Sequence, residues 1–150
     1  MEQKRKIIPP VYLVLTLAAM TAFHFLMPIA RLVPEPFSYG GTVLILLGIA
    51  MAGIAAGAFR KAGTPVMPFE PLKALVTGGF YRFTRNPMYL GMITILIGAA
   101  VLYGDVGSLL PIPLFAGIIE IKFIRGEERF LHAIFGDEYL EYKRKVRRWL

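Results

Sequence analysis

Residues 73–91 read Lys73-Ala74-Leu75-Val76-Thr77-Gly78-Gly79-Phe80-Tyr81-Arg82-Phe83-Thr84-Arg85-Asn86-Pro87-Met88-Tyr89-Leu90-Gly91, a basic, glycine-punctuated loop running into an apolar segment. Asn is a favoured N-cap, and Pro suits the first helical position because its missing N–H would have had no partner there. The stretch therefore predicts a helix starting at Pro87 with its free N–H groups turned to the loop. Those donors and the positive end of the helix dipole favour an anionic group such as a carboxylate or phosphate. Arg82 and Arg85 strengthen that field. The plainer reading of Asn-Pro alone is punctuation between loop and helix.

Outward from this stretch, composition sets the class. Of 150 residues, 56% are hydrophobic and the mean hydropathy is +0.59, whereas soluble domains hold about 45–50% apolar residues. The expectation is an all-α integral membrane protein with a single folding unit over 1–150. The absence of Cys excludes disulfides, thiolate metal sites and a cysteine nucleophile. The net charge of +7 raises nucleic acid as a partner, but basic residues flanking apolar spans mark the cytoplasmic membrane surface.

Four spans are expected, at about residues 11–30, 41–59, 87–103 and 106–124, each near the length that crosses a bilayer at 1.5 Å per residue. Lys4, Arg5 and Lys6 precede the first, which is too long for a secretory signal and is read as retained. His24 lies inside it, either bonded to a neighbouring helix or functional. The second span carries Gly48, Ala52 and Ala56 on one face, with Gly53 and Gly57 beside them. Such residues let backbones approach closely, and the sequence leaves open whether the partner is another span or a second copy of the chain in a homodimer. Gly104-Asp105-Val106-Gly107 should turn the third span into the fourth as a helical hairpin. Pro111 and Pro113 should bend the fourth. Glu120 and Lys122, near its end, either snorkel or line a polar cavity. Residues 125–150 are charged, with Leu131, Phe135, Tyr139, Tyr142, Val146 and Trp149 at helical spacing. They should form amphipathic interfacial helices broken at Gly136, and their basic end could bind anionic membrane lipid.

The charge distribution tests this parse. The N-terminus, the 60–86 loop and the tail from Lys122 hold 16 of the 17 Lys and Arg residues, and Arg31 alone falls on the other side. Both termini and the long loop are therefore expected on the cytoplasmic face of a multi-pass protein in the cell inner membrane. Topology accounts for the excess charge, so no nucleic-acid partner is expected. The same topology gathers the 73–91 loop, the start of the third span and the pair Glu127-Glu128 at one mouth. Neighbouring helix positions diverge by about 100°, so one glutamate points into a site. Helix N–H donors for a carboxylate and a Glu for a cation suit a zwitterionic, amino-acid-like ligand.

At these residues the chain resembles the isoprenylcysteine carboxyl methyltransferase family and, more distantly, the membrane phospholipid methyltransferases. The likeness covers roughly 73–146. It rests on Leu75-Val76-Thr77 with Gly79 and Tyr81, on Arg85-x-Pro87-x-Tyr89-x-Gly91, on Glu127-Glu128 with Leu131, and on the run from Phe135 to Lys143. The resemblance implies binding of S-adenosyl-L-methionine from the cytoplasm. Its contacts would come from Lys73, Ala74, Leu75, Val76, Tyr81, Asn86, Pro87, Met88, Tyr89 and Glu127. It also implies methyl transfer to a lipophilic acceptor that is isoprenylcysteine-carboxylate-like or a related small hydrophobic nucleophile. Members nearest the eukaryotic enzyme have His at the position of Asn86 and a substrate-contacting Arg at that of Phe123, so Lys122 or Arg125 would have to stand in. Arg125 is taken as a catalytic residue, as is Glu128; an amine acceptor would have to lose a proton, which Glu128 or Glu120 could take. The rival expectations are a phospholipid (phosphatidylethanolamine) N-methyltransferase using the same cofactor site, and a non-catalytic membrane scaffold or sensor keeping the fold.

Overall fold

The computed structural model describes residues 8–27, 29–67 and 70–150, so the basic Lys4, Arg5 and Lys6, and Pro28 and Pro68, lie outside the described residues. Five helices carry the architecture: α1 (Pro9–Leu26), α2 (Gly40–Lys61), α3 (Pro87–Tyr103), α4 (Pro111–Ile119) and α5 (Arg125–Lys145). No strand occurs among the described residues, where pairing is limited to two isolated bridges. Pro9–Leu26, Phe37–Lys61 and Gly107–Lys145 are long and apolar enough to cross a membrane, and Pro87–Tyr103 is a shorter apolar helix. Side chains such as Val14, Leu15, Phe25, Val43, Leu46 and Leu47 point outward from α1 and α2. A soluble surface would not carry so large an apolar area.

The helices alternate in direction. The start of α1 lies beside the end of the fourth helical run, with Tyr12 edge-on to Phe123 at 5.6 Å. Its end lies beside the end of α3, where His24 stacks on Tyr103 at 4.7 Å. Met20, Leu96, Phe115, Ile119 and Ile124 form the core between α1, α3 and α4. The small-residue face of α2 meets α3 of the same chain: a Cβ added to Gly48 would stand 2.5 Å from the Gly91 carbonyl oxygen, and one added to Gly98 would stand 2.6 Å from that of Gly41. Ala52 packs on Gly91, while Gly53 and Gly57 have open space. Close backbone approach, which lipid-exposed packing rewards, therefore sets the α2–α3 pair.

Three expectations change. Pro111 and Pro113 fall in the first turn of α4, where the missing N–H groups have no helical partner, so they start the helix and do not bend it. The fourth run does not end near 124 but passes through a π-helical segment, Glu120–Ile124, directly into α5. His24 lies in the last turn of α1, not deep within it. Two other features match the sequence reading. Gly104 leaves α3 in the left-handed region (φ 72), a position suited to glycine, and Gly136 (φ 51) interrupts α5.

Candidate active site

Two loop features shape the mouth between α2, α3 and α5. Lys73 donates its N–H to the Thr64 hydroxyl at 3.0 Å, pinning the chain before Ala74. A 3-10 turn, Gly79–Arg82, then carries Tyr81 inward, where it meets Phe59 edge-on at 5.5 Å. The Tyr142 hydroxyl donates to the Tyr81 carbonyl at 2.7 Å, tying the loop to the second half of α5. A second core of Ala55, Tyr81, Tyr139, Tyr142 and Val146 lies here.

Within this frame a cavity of about 590 Å3, counted to its open mouth, is lined by Ala74, Leu75, Val76, Tyr81, Asn86, Met88, Tyr89 and Glu127, with Phe59, Arg85, Glu128 and Leu131 among the remaining walls. The structure thus brings together eight of the ten expected cofactor contacts with Glu128. It leaves out Lys73, whose N–H is engaged with Thr64, and Pro87, which is buried at the start of α3. Arg125 is turned away: its guanidinium lies 3.1 Å from Glu120 and is largely exposed, because the helix runs on without a break and that face points outward.

Asn86 occupies the N-cap position, but its side chain makes no capping bond. Its Nδ2 instead donates to the Arg148 carbonyl at 2.9 Å. The first turn of α3 therefore keeps donors uncapped by any side chain, beside the cavity. Arg85 has a largely buried side chain, with Nη1 2.9 Å from Glu128 and 3.2 Å from the Tyr139 hydroxyl, while its Nε has no partner among the described residues. The Tyr81 hydroxyl is likewise buried and unpartnered. Orphaned buried donors are uncommon in native proteins. Both line this cavity.

The paired glutamates have different surroundings. Tyr89 donates its hydroxyl to Glu127 at 2.5 Å. Burial raises the Glu127 carboxyl above its ordinary range, the Tyr89 bond lowers it in part, and the neighbouring charge of Glu128 raises it again. Burial would also raise Glu128, but the Arg148 fork, Arg85 and Lys143 outweigh it and hold that carboxyl below its ordinary range. The fork is bidentate, with Arg148 Nε and Nη2 donating at 2.9 and 2.8 Å. Such planar pairing is among the stronger charged contacts. Burial raises the Tyr81 hydroxyl, with Tyr142 and Glu127 adding to it.

Sequence reasoning missed Arg148. It also joins Glu120 at 3.1 Å, where Trp149 Nε1 donates at 3.4 Å. The same tail accepts the Arg85 N–H on the Arg147 carbonyl at 2.9 Å and the Thr84 hydroxyl on the Arg148 carbonyl at 3.1 Å. Residues 146–150 thus strap back over the loop before α3. The available signal was two carboxylates, Glu120 and Glu128, about two turns apart on one continuous helix, which together attract a cation. Which of many basic residues supplies it depends on the fold.

The family model for phospholipid methyltransferases matches residues 37–138. The chain belongs to that family. It is 32% identical over 111 residues to a probable protein-S-isoprenylcysteine O-methyltransferase of Oryza sativa subsp. indica, covering 73% of this chain and 58% of the relative. It is 42% identical over 69 residues to methanethiol S-methyltransferase 1 of Bradyrhizobium diazoefficiens, covering 44% of this chain and 22% of the relative. A solved eukaryotic intramembrane Ras methyltransferase, isoprenylcysteine carboxyl methyltransferase, superposes with a TM-score of 0.68 at 19% identity over 100% of this chain and 53% of that one, a likeness of fold. The resemblance to isoprenylcysteine carboxyl methyltransferases stands, and the chain spans little more than half the length of the rice relative. Within this phospholipid methyltransferase family member, the matched region holds the cavity walls from Phe59 to Leu131 and ends before Tyr139 and Tyr142, which also line it, and before the strap that carries Arg148.

Proposed function

We propose that this protein is an S-adenosylmethionine-dependent methyltransferase acting on a lipophilic acceptor drawn from the membrane. The reading rests above all on two buried, partnerless donors, Tyr81 O–H and Arg85 Nε–H, lining one cavity with the uncapped start of α3 and with Glu127. Donors for a carboxylate and a carboxylate for an ammonium are what an amino-acid end requires. Phe59, Leu75, Val76 and Leu131 supply apolar wall for an uncharged heterocycle. The donor set therefore fits the cofactor, which when bound supplies an electrophilic sulfonium methyl to the lone pair of an acceptor.

The chain's own work is alignment and exclusion of water. Met88 and Tyr89 line this cavity and also an apolar recess of about 660 Å3 whose other walls include Pro9, Pro10, Met67 and Met92. That shared wall gives an acceptor a route from lipid. Positioning two reactants can remove several kcal/mol from a barrier. A carboxylate or thiolate acceptor has no proton to lose, which suits a site whose Glu128 is already held by Arg148 and Arg85. An isoprenylcysteine-like carboxylate or a small hydrophobic thiolate is thus the first choice. A phospholipid amine is the second reading, favoured by Glu127, whose carboxyl burial raises above its ordinary range and so makes it a better proton acceptor. The charge distribution supports four spans, α1, α2, α3 and the run through α4, with both termini and the cavity mouth cytoplasmic in the inner membrane.

Titration calorimetry with S-adenosylhomocysteine on the purified chain tests the cofactor site, and absence of binding overturns it. Radiolabelled methyl transfer to isoprenylcysteine analogues, thiols and phosphatidylethanolamine then separates the acceptors. Labelling of the lipid amine alone selects the second reading. Binding without transfer to any of them leaves a non-catalytic sensor.

A further inference from the structure

Gly136 folds the second half of α5 back on the first, and the crook opens onto a second recess of about 940 Å3, counted to its open mouth, which shares Glu128 and Tyr139 with the first cavity. Arg125, Arg129 and His132 face it at the i, i+4, i+7 spacing of one helical side, and Lys143 faces it from the other arm. Its walls carry one carboxylate, Glu128, which already holds the Arg148 fork and Arg85. Arg125 shares Glu120 with Arg148. Arg129 turns its Nε to the Arg125 carbonyl at 3.3 Å and pairs with no carboxylate among the described residues. Lys143 reaches Glu128 only at 4.0 Å.

Three cations from two helical arms therefore face one opening against a carboxylate that is already committed. Like charges one turn apart repel, and an anion between them relieves the repulsion. Donors converging from two arms suit oxygens spread around a tetrahedral centre, where a lone carboxylate would favour one planar fork. Ile121 and Leu140 add an apolar rim. Ile121 belongs to the π segment that ends the fourth apolar run, so the opening sits where acyl chain meets headgroup if that run spans the bilayer.

We propose that this recess binds phosphate, as the headgroup of an anionic glycerophospholipid or as a free phosphate ester, with Arg125, Arg129 and Lys143 as its cations. The site stands apart from the methyl-transfer reading and does not depend on it. Titration calorimetry on the full chain in detergent tests it with monomeric dihexanoyl phosphatidic acid and with glycerol 3-phosphate. Phosphatidic acid should bind, and Arg129→Gln or Lys143→Gln should each weaken it about fivefold, the scale of one basic residue against an anionic surface. Lys145→Gln, a charge outside the recess on the same arm, should change affinity by less than about twofold. Binding of glycerol 3-phosphate at similar strength makes soluble phosphates a sufficient source, while binding of the acylated probe alone makes the occupant a lipid. Failure of both probes, or equal weakening by Lys145→Gln, overturns the proposal. Matching helical circular dichroism in each variant separates lost binding from lost fold.

Discussion

The two ends of the helical bundle treat their polar side chains differently. Where α1 and α3 finish, His24 pairs with Asp105, Asp105 accepts the Ser108 N–H at 2.9 Å, the Ser108 hydroxyl donates to the Asp105 carbonyl at 2.9 Å, and the hydroxyls of Thr21 and Tyr103 bond at 2.6 Å. These groups satisfy one another and close a turn. Where α3 begins, Arg85 Nε and the Tyr81 hydroxyl are buried without partners beside a cavity. Burying a polar group without a partner costs free energy. A fold retains that cost where something other than the chain supplies the missing bond, so the contrast supports the proposed ligand site at the α3 N-terminal end and a bracing role for the far end.

The sharpest way to break this contrast is to remove one carboxylate from each end. Glu127→Ala should weaken S-adenosylhomocysteine binding about 10–100-fold, the scale of a lost charged hydrogen bond, as read by calorimetry. Asp105→Asn should leave that affinity unchanged. Equal losses from both would mean that the two ends are not functionally distinct.

Arg148→Gln comes next, because it strips the fork from Glu128 and leaves that carboxylate with Arg85 and a distant Lys143. A stability loss of about 2 kcal/mol is expected, as for hydrogen bonds to charged groups, measured by thermal unfolding in detergent, with partial recovery in Arg148→Lys. An unchanged unfolding curve would show that the tail does not brace the cavity wall. At the other end, Asp105→Asn should cost about 1 kcal/mol by the same measurement, since it weakens the pairing with His24 but keeps an acceptor for Ser108.

The smallest effect is in pH. Glu127 titrates above the usual carboxylate range, so S-adenosylhomocysteine binding should weaken as pH falls through that raised value, and Glu127→Gln should remove this limb. The bonds from His24 and from the backbone N–H of Ser108 outweigh burial and hold Asp105 below its ordinary range, as the Arg148 fork and Arg85 do for Glu128. Groups lowered in the folded state contribute stability that is lost as pH falls through the lowered values. Ligand binding should therefore fail at a higher pH than the fold does, which parallel titrations of affinity and unfolding can check. Coincident transitions would contradict the assignment.

Local chemistry was legible without coordinates. The apolar runs expected at about 11–30, 41–59 and 87–103 follow from composition and length and fall on α1, α2 and α3, the first ending earlier than expected at Leu26; Pro87 opens α3 because a residue without an N–H fits there, and Gly104 and Gly136 stand where the backbone needs positive φ. The motif residues around Tyr81, Asn86 and Glu127 marked the cavity wall. The course of 111–145 was less legible, because Pro can either start or kink a helix and only the position of the first turn distinguishes the two.

The sequence by itself determined which segments are apolar enough to avoid water and where the backbone starts, turns and breaks, since burial of apolar side chains and backbone restriction at Pro and Gly act over a few residues. The tertiary structure alone decided the pairings across long separations: Gly48 against Gly91, Asn86 with the Arg148 carbonyl instead of its own helix, Glu128 with Arg148, and Arg125 facing away from the cavity. The chain holds 17 cationic side chains against 10 acidic ones. Charge attraction alone is nearly indifferent among such partners, and the packing of the helices selects which of them meet.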